Sequence, residues 1–170
     1  MKHWKRILYS VILVFIPGAR KRTEFMRKHH LYGSIGENCL IQKRKIPLYS
    51  NLIFLHDNVK IASNVGLVTH DIIHTMLNKK VSERKYIERI GCIEIMDNVF
   101  IGSGTRILYD TRIGSNVIIG SGSLVNCDIP DNSVYAGVPA QFICTFKEYM
   151  EKAYHYSEEF KNLYGIDQLG

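Results

Sequence analysis

Among the side chains that could act as bases, nucleophiles or metal ligands near neutral pH are seven histidines and four cysteines. A histidine, with an ordinary pKa of about 6.5, can take up or release a proton at physiological pH. A lone histidine is more often structural, so its position must decide its role. No cysteine pair has C-x-x-C spacing or a histidine at zinc-finger spacing, which favours reduced thiols in a cytosolic protein: Cys39, Cys92, Cys127 and Cys144.

The second half of the chain repeats with a period of six residues. Turn-forming pairs such as Asp97-Asn98 and Ser121-Gly122 separate its units. Neither a helix nor simple strand alternation produces this period. It is typical of a parallel β-helix, in which stacked units bury a continuous apolar ladder. Six consecutive steps are aliphatic: Ile95, Ile101, Ile107, Ile113, Ile119 and Val125.

The same register occurs earlier but is interrupted. Leu55, Ile61 and Leu67 follow it, yet 28 residues separate Leu67 from Ile95, which is not a multiple of six. We therefore predict that the polar, charged segment 71–92 leaves the coil as an extruded loop. A smaller irregularity is expected near Pro47.

Helical patterns flank the repeats. Residues 2–16 are apolar with a basic start, and apolar residues from Phe146 to Tyr164 recur at three- and four-residue steps. The second pattern predicts an amphipathic helix that caps the coil or packs on a partner. We predict three parts: a basic, apolar helical segment over 1–30, a β-helix domain over 31–145, and a C-terminal helix and tail over 146–170.

Composition and charge exclude several classes of protein. With 170 residues, 46% of them hydrophobic, the chain is long enough for one domain and too apolar for wholesale disorder. The sequence contains no run of about 18 apolar residues, so no membrane span is predicted. Residues 1–30 hold eight of the 22 Lys and Arg and one acid, so the rest of the chain sums to −1. Nucleic-acid binding by the whole domain is therefore not expected. The N-terminus lacks a small-x-small cleavage site, which favours a cytoplasmic location.

The stretch from Ile95 to Cys127, followed by Asp128-Ile129-Pro130 and Ala136-Gly137-Val138-Pro139-Ala140, resembles the left-handed β-helix hexapeptide acyltransferases. The pattern is similar to galactoside, maltose and xenobiotic acetyltransferases and to acetyltransferases of capsule and lipopolysaccharide gene clusters. The resemblance covers about residues 31–145. It implies a mainly β fold, a left-handed parallel β-helix. It also implies a homotrimer that binds acetyl-CoA, the acyl donor, between adjacent subunits and requires no metal.

The resemblance also implies a catalytic base. Val68-Thr69-His70-Asp71 matches the V-T-x-H or T-H-D context of the family's catalytic histidine, just before segment 71–92. His70 would take the proton from an acceptor hydroxyl as the oxygen attacks the thioester, without an acyl-enzyme. His74 is the second candidate.

The coenzyme A contacts implied by the resemblance match the family less closely. Ser103 and Ser121 occupy the small positions whose backbone groups hold the pantetheine arm. Asn126 and Cys127 stand where relatives often have Thr-Lys. Gln141 and Cys144 stand where galactoside-type enzymes have arginines for the nucleotide end, so Lys147 is the candidate to replace those cations. The full candidate set is Ser103, Ser121, Asn126, Cys127, Pro139, Gln141 and Lys147.

These features predict O-acetyl transfer to a saccharide, in cell-surface polysaccharide biosynthesis. Three alternatives stay open: an N-acetyltransferase acting on an amino sugar, a γ-carbonic-anhydrase-like zinc enzyme, and a non-catalytic trimeric binding protein. The zinc enzyme would need His56, His70 and His74 to converge. Residues 1–30 either contact an anionic membrane surface or pack on the coil.

Overall fold

A computed structural model describes residues 3–80 and 83–164. None of the helices in these ranges is both long enough and apolar enough to span a bilayer. The helices are α1 (His3–Phe15), α2 (Ala19–Lys28), α3 (Ile73–Lys80) and α4 (Phe146–Tyr164), with a short 3-10 helix at Ser50–Leu52. The strands are β1 (Ser34–Ile35), β2 (Leu40–Ile41), β3 (Ile53–Leu55), β4 (Lys60–Ile61), β5 (Gly66–Leu67), β6 (Ile93–Ile95), β7 (Val99–Ile101), β8 (Arg106–Ile107), β9 (Thr111–Ile113), β10 (Val117–Ile119), β11 (Leu124–Val125), β12 (Ser133–Ala136) and β13 (Gln141–Thr145).

The chain visits three sheets in rotation. The first sheet has the order β1-β3-β6-β9, the second β2-β4-β7-β10-β12-β13, and the third β5-β8-β11. All pairs are parallel except β12 with β13, which is antiparallel. The structure therefore combines helices with short parallel strands wound into a three-sided coil.

The repeated aliphatic residues form the core of this coil. Each of the six from Ile95 to Val125 is fully buried, and Ile101 pairs with Ile61 on one side and Ile119 on the other. Small and β-branched residues four places after these aliphatic positions, including Thr105 and Ser123, are buried as well. This burial confirms the six-residue register.

Sheet pairing also shows how many residues lie outside the coil. Ile95 pairs with Ile113, 18 residues later, whereas Leu55 pairs with Ile95, 40 residues later. One turn of this coil therefore carries 22 additional residues, which is the length of segment 71–92. This segment, called the insertion below, contains α3. The first turn is also longer, since Ile41 pairs with Ile61 across the irregular stretch that holds the 3-10 helix.

Five asparagines stack along the edge between the first and second sheets. The side-chain amide of each donates to the side-chain oxygen of the next at 2.9 to 3.1 Å. All have φ between 51° and 58°, the left-handed conformation that asparagine tolerates better than most residues. We call this stack the asparagine ladder: Asn38, Asn58, Asn98, Asn116 and Asn132.

Helices close the N-terminal end of the coil. On α2, Met26 is buried and the hydroxyl of Thr23 accepts a hydrogen bond from the N–H of Ile41 at 2.8 Å. On α1, Leu13 is buried, while several apolar side chains on other faces of the helix are exposed: Trp4, Ile7, Leu8, Val11, Val14 and Phe15.

The C-terminal end carries the hairpin of β12 and β13 and then α4. A capping box starts this helix, because the Thr145 hydroxyl and N–H both reach the Glu148 carboxylate and the Glu148 N–H reaches the hydroxyl. Tyr149 and Met150 of α4 are exposed, so this part of the predicted apolar face is uncovered in the single chain.

Candidate active site

His70 lies where the coil opens into the insertion. The preceding residue, Thr69, is buried, and its hydroxyl donates to the Leu48 carbonyl at 2.7 Å. The Thr69 carbonyl accepts from the N–H of Gly91 at 2.9 Å, and His70 itself forms an antiparallel bridge with Ile90. The two ends of the insertion therefore lie side by side, which fixes the backbone of His70.

The His70 ring is half-buried against an aromatic wall. It meets the Tyr49 ring edge to face, with centroids 5.3 Å apart and planes at 80°. Its Nδ1 is buried and has no hydrogen-bond partner within the described part of the chain. The Tyr49 hydroxyl donates to Glu88 at 2.9 Å, and this bond raises the pKa of Tyr49. The ring that supports His70 is thus itself tied to the insertion.

A second contact fastens the insertion to the next turn of the coil. The Tyr109 hydroxyl donates to the Asp71 carboxylate at 2.7 Å, which lowers the pKa of Asp71 and raises that of Tyr109. The Arg89 guanidinium lies over the Tyr109 ring, 4.7 Å from its centroid, and its Nη2 is 3.4 Å from a carboxylate oxygen of Asp110. Both flanks of His70 are therefore held by side chains from other parts of the chain.

The other histidines of the coil region are placed differently. His74 lies on α3, half-buried, and its Nδ1 also has no hydrogen-bond partner among the residues described. His56 contacts Glu94 at 3.0 Å, where the chain leaves the first sheet for the second. Over 3–80 and 83–164, no three His, Cys, Asp or Glu side chains are grouped so that they could hold a metal ion.

Ser103 and Ser121 lie one above the other, both exposed, at the edge between the second and third sheets. The Gly122 N–H donates to the Ser103 carbonyl at 2.8 Å. Gly102 is required beside them, because a Cβ there would lie 2.5 Å from the Ser121 nitrogen. These two candidates for the pantetheine arm therefore form one continuous edge.

The remaining donor candidates lie elsewhere. Asn126 and Cys127 are both exposed and follow β11 at the edge between the third and first sheets. His70 lies on the same edge two turns earlier, where it follows β5. The last three candidates are exposed and lie at the C-terminal end. Pro139 is in the turn before β13, Gln141 is at the start of β13, and Lys147 is in the first turn of α4.

One chain does not unite all these residues. The third sheet separates the edge of Ser103 and Ser121 from the edge of His70. The sequence-based prediction also missed the side chains that hold the insertion: Tyr49, Glu88, Arg89 and Tyr109. Their partners are up to 39 residues away and have no periodic spacing, so the only sequence signal was that Tyr49 lies near the irregularity at Pro47.

Known proteins similar to this chain agree with this architecture. Residues 93–127 match the family model described as bacterial transferase hexapeptide (six repeats). The galactoside O-acetyltransferase of Lactococcus lactis subsp. lactis (strain IL1403) is 28% identical over 172 residues, which cover 81% of this chain and 77% of the relative. The galactoside O-acetyltransferase of Escherichia coli (strain K12) is 37% identical over 129 residues, which cover 74% of this chain and 60% of the relative.

A solved structure of a galactoside acetyltransferase in complex with coenzyme A is also similar, with a TM-score of 0.58 and 26% identity. The match covers 87% of this chain and 84% of that one. These likenesses confirm the family that the repeats predicted. With its buried six-residue register, the chain belongs to the hexapeptide-repeat acyltransferase superfamily and is an acetyltransferase.

Proposed function

We propose that this acetyltransferase moves the acetyl group of acetyl-CoA to a hydroxyl of a saccharide, with His70 as general base on a left-handed β-helix. The coenzyme A complex of the similar solved structure supports acetyl-CoA as donor. The names of the two galactoside relatives support a saccharide acceptor, and we favour one from cell-surface polysaccharide biosynthesis. The observation that carries the proposal is the position and packing of the His70 ring.

The packing of His70 suits a base that is oriented before substrate binds. The buried Nδ1 points into the protein, so Nε2 is the nitrogen available to an acceptor hydroxyl. The edge-to-face contact with Tyr49 limits rotation of the ring. A fixed ring reduces the entropy lost when the acceptor oxygen, the base and the thioester are brought into line.

The reaction is direct transfer. The acceptor hydroxyl donates its proton to Nε2 as its oxygen attacks the thioester carbonyl. The oxyanion of the tetrahedral intermediate is stabilised by a backbone N–H at a turn of the coil. The intermediate then collapses, the C–S bond breaks, and the coenzyme A thiolate recovers the proton from the imidazolium. No acyl-enzyme forms.

A homotrimer completes this site. Because His70 and the pair Ser103 and Ser121 occupy different edges of one chain, a neighbouring subunit supplies the second wall of a shared groove. Exposed apolar residues near the C-terminus support such an interface, namely Phe142 and Ile143 on β13 and Tyr149 and Met150 on α4.

Residues 1–30 have a second role in this proposal, as a peripheral contact with an anionic membrane surface. The exposed aromatic residues Trp4 and Phe15 of α1 support this contact, and the Lys5 ammonium lies 5.6 Å from the centroid of the Trp4 ring. Aromatic and basic residues together favour the bilayer interface.

The test is an assay of acetyl-CoA consumption against a panel of sugars, nucleotide sugars, amino sugars and lipid-linked saccharides. Mass spectrometry and NMR of the product would identify the acetylated atom. We expect an O-acetylated saccharide. Acetylation confined to amines, or thioester hydrolysis without transfer to any saccharide, would contradict the proposal.

A further inference from the structure

A strongly basic cavity of about 690 Å³ opens near the N-terminal end of the coil, at the edge between the second and third sheets. Its lining includes the polar side chains of Gln42 and Ser63 but no acidic residue. Four cations surround it: Lys43, Arg44, Lys45 and Arg106.

Two of the four cations are held by backbone carbonyls. The Lys43 ammonium donates to the carbonyl of Val65 at 3.2 Å, and the Arg106 guanidinium donates to the carbonyls of Asn64 and Gly104 at 3.0 Å. Within residues 3–80 and 83–164, none of the four cations has a carboxylate partner. The backbone thus orients positive charge into the cavity without neutralising it.

The cations affect one another. Burial, with the charges of Arg106 and Lys45, lowers the pKa of Lys43. Burial and the charge of Arg44 likewise lower the pKa of Arg22, which is buried nearby. Mutual repulsion of this kind disfavours the empty cavity and is relieved when an anion binds.

We propose that this cavity binds the phosphate or diphosphate group of a ligand other than the acetyl donor. Phosphate oxygens accept charge-assisted hydrogen bonds from guanidinium and ammonium groups, and four cations are enough to neutralise a diphosphate group. Inorganic pyrophosphate is therefore the simplest probe of the site.

The position of the cavity points to the acceptor. Ser63, in its wall, belongs to the same edge as Ser103 and Ser121, because the Gly104 N–H donates to the Ser63 carbonyl at 3.0 Å. The candidates for the nucleotide end of the donor lie at the opposite end of the coil, from Pro139 to Lys147. A phosphorylated acceptor would thus approach the pantetheine edge from the end opposite to the donor nucleotide. This assignment to the acceptor rests on the proposed function, whereas phosphate binding itself does not.

An apolar groove of about 350 Å³ adjoins the cavity. It is lined by Ile7, Val11 and Val14 of α1, and it shares Arg44 and Lys45 with the basic cavity. A soluble phosphorylated ligand and the phosphate of a lipid therefore present the same chemistry here, and the experiment must separate them.

The test compares the full-length protein with the double variant Arg44→Gln/Lys45→Gln by calorimetric titration with inorganic pyrophosphate at low ionic strength. Both side chains are exposed, so the variant should fold, which a melting curve checks. The matched control is Lys79→Gln/Lys80→Gln, which removes two exposed charges at the end of α3. We expect saturable binding, weakened about tenfold or more in the first variant and unchanged in the control.

Equal weakening in both variants, or no saturable binding to the wild type, would overturn the proposal. Acetyl-CoA binding is measured in parallel and should be unaffected by Arg44→Gln/Lys45→Gln. If acetyl-CoA displaces pyrophosphate and is itself weakened by that variant, the cavity is the donor's own phosphate site and the proposal is wrong. If acetyl-CoA does not bind at all, the proposed function fails while the pyrophosphate result still stands.

Sedimentation with vesicles separates the two sources of phosphate. One set is phosphatidylcholine alone, and the other contains phosphatidylglycerol as an anionic component. Binding to the anionic vesicles that is lost in Arg44→Gln/Lys45→Gln assigns the site to a lipid phosphate. Pyrophosphate binding without vesicle binding assigns it to a soluble phosphorylated ligand.

Discussion

At His70, one ring nitrogen is enclosed, and we propose that the other meets the acceptor, so removing the ring should affect the chemical step and not donor binding. We expect His70→Ala to lower kcat by roughly 10²–10⁴-fold, the usual contribution of a general base. The dissociation constant of acetyl-CoA should change little. The rise of kcat/KM with pH that reports deprotonation of the base should flatten in the variant. Steady-state kinetics over pH 5–9 measure kcat and the pH dependence of kcat/KM. Calorimetric titration with acetyl-CoA measures the dissociation constant.

His74→Ala is the matched comparison, because His74 is four residues away and also has a buried Nδ1 without a partner. It lies on α3, away from the junction, so we expect a much smaller loss of rate. If His74→Ala lost most of its kcat while His70→Ala kept most of its own, the family motif would have been matched to the wrong histidine. If neither substitution mattered, the proposal of a histidine base would have to be abandoned.

We expect Tyr49 to be a positioning residue, because its ring packs against the His70 ring while its hydroxyl donates to Glu88. Tyr49→Phe keeps this ring and loses only the hydrogen bond to Glu88, so most of kcat should survive. Tyr49→Ala should lower kcat by about tenfold or more while acetyl-CoA affinity is preserved. Rescue of kcat by phenylalanine, at equal melting temperatures, distinguishes positioning from general stability. Equal losses in the two variants would contradict this role.

At the scale of elements, the hydrogen bond between Tyr109 and Asp71 joins the insertion to the next turn of the coil. The pKa of Asp71 is lowered in the folded protein, first by the Tyr109 hydroxyl and then by the Ile73 N–H. Its stabilisation is therefore complete above the unfolded pKa of about 3.9 and is lost as the pH falls through the lower folded value. Tyr109→Phe should melt below the wild type at pH 5–7, and the difference should shrink below about pH 4.

The control for that pH series is Tyr86→Phe, in the same insertion, since no described residue accepts a hydrogen bond from the Tyr86 hydroxyl. Its melting temperature should follow the wild type at every pH. A difference between Tyr109→Phe and wild type that stays constant down to pH 2 would show that Asp71 is not the partner that matters.

Ile113 tests the core of the coil. It is fully buried, paired with Ile95 and bridged to Ile129. Ile113→Asp places a charge without a partner inside this stack, at a cost of several kcal/mol, and should prevent folding. Ile113→Val, the control, should cost only about 0.5–1.5 kcal/mol. Circular dichroism and thermal melting compare the two, and a normally folded aspartate variant would mean that the inferred register is wrong.

Periodic features were predictable from the sequence, and contacts between distant residues were not. The six-residue spacing predicted the buried positions, because each repeat meets the same neighbours one turn away. The gap between Leu67 and Ile95 predicted additional residues at that point of the coil. By contrast, the contacts of Tyr49 with Glu88 and of Tyr109 with Asp71 join single side chains across irregular segments. Their formation depends on how the insertion returns to the coil, which no local pattern specifies.

At the scale of the whole molecule, His70 lies on a different edge of the coil from Ser103 and Ser121, so the proposed shared site predicts a second chain. We expect light scattering at micromolar concentration to give a mass about three times the 19.6 kDa of one chain. The mass should persist on dilution, because apolar area removed from water contributes about 25 cal/mol per Å² and the C-terminal apolar side chains would be covered. A stable monomer with full transferase activity would contradict the shared site.

The asparagine ladder limits how such a coil can change its length. A whole turn of 18 residues brings another asparagine to the same edge and leaves the stack of amides continuous. Six residues wound into one turn as an additional side of the coil would move the next asparagine off the edge and leave its neighbours without partners. The coil can therefore gain or lose length in units of a turn, while additional residues enter at an edge without the ladder. The insertion beside His70 does this, so its length and sequence can diverge without any change in the pitch of the scaffold.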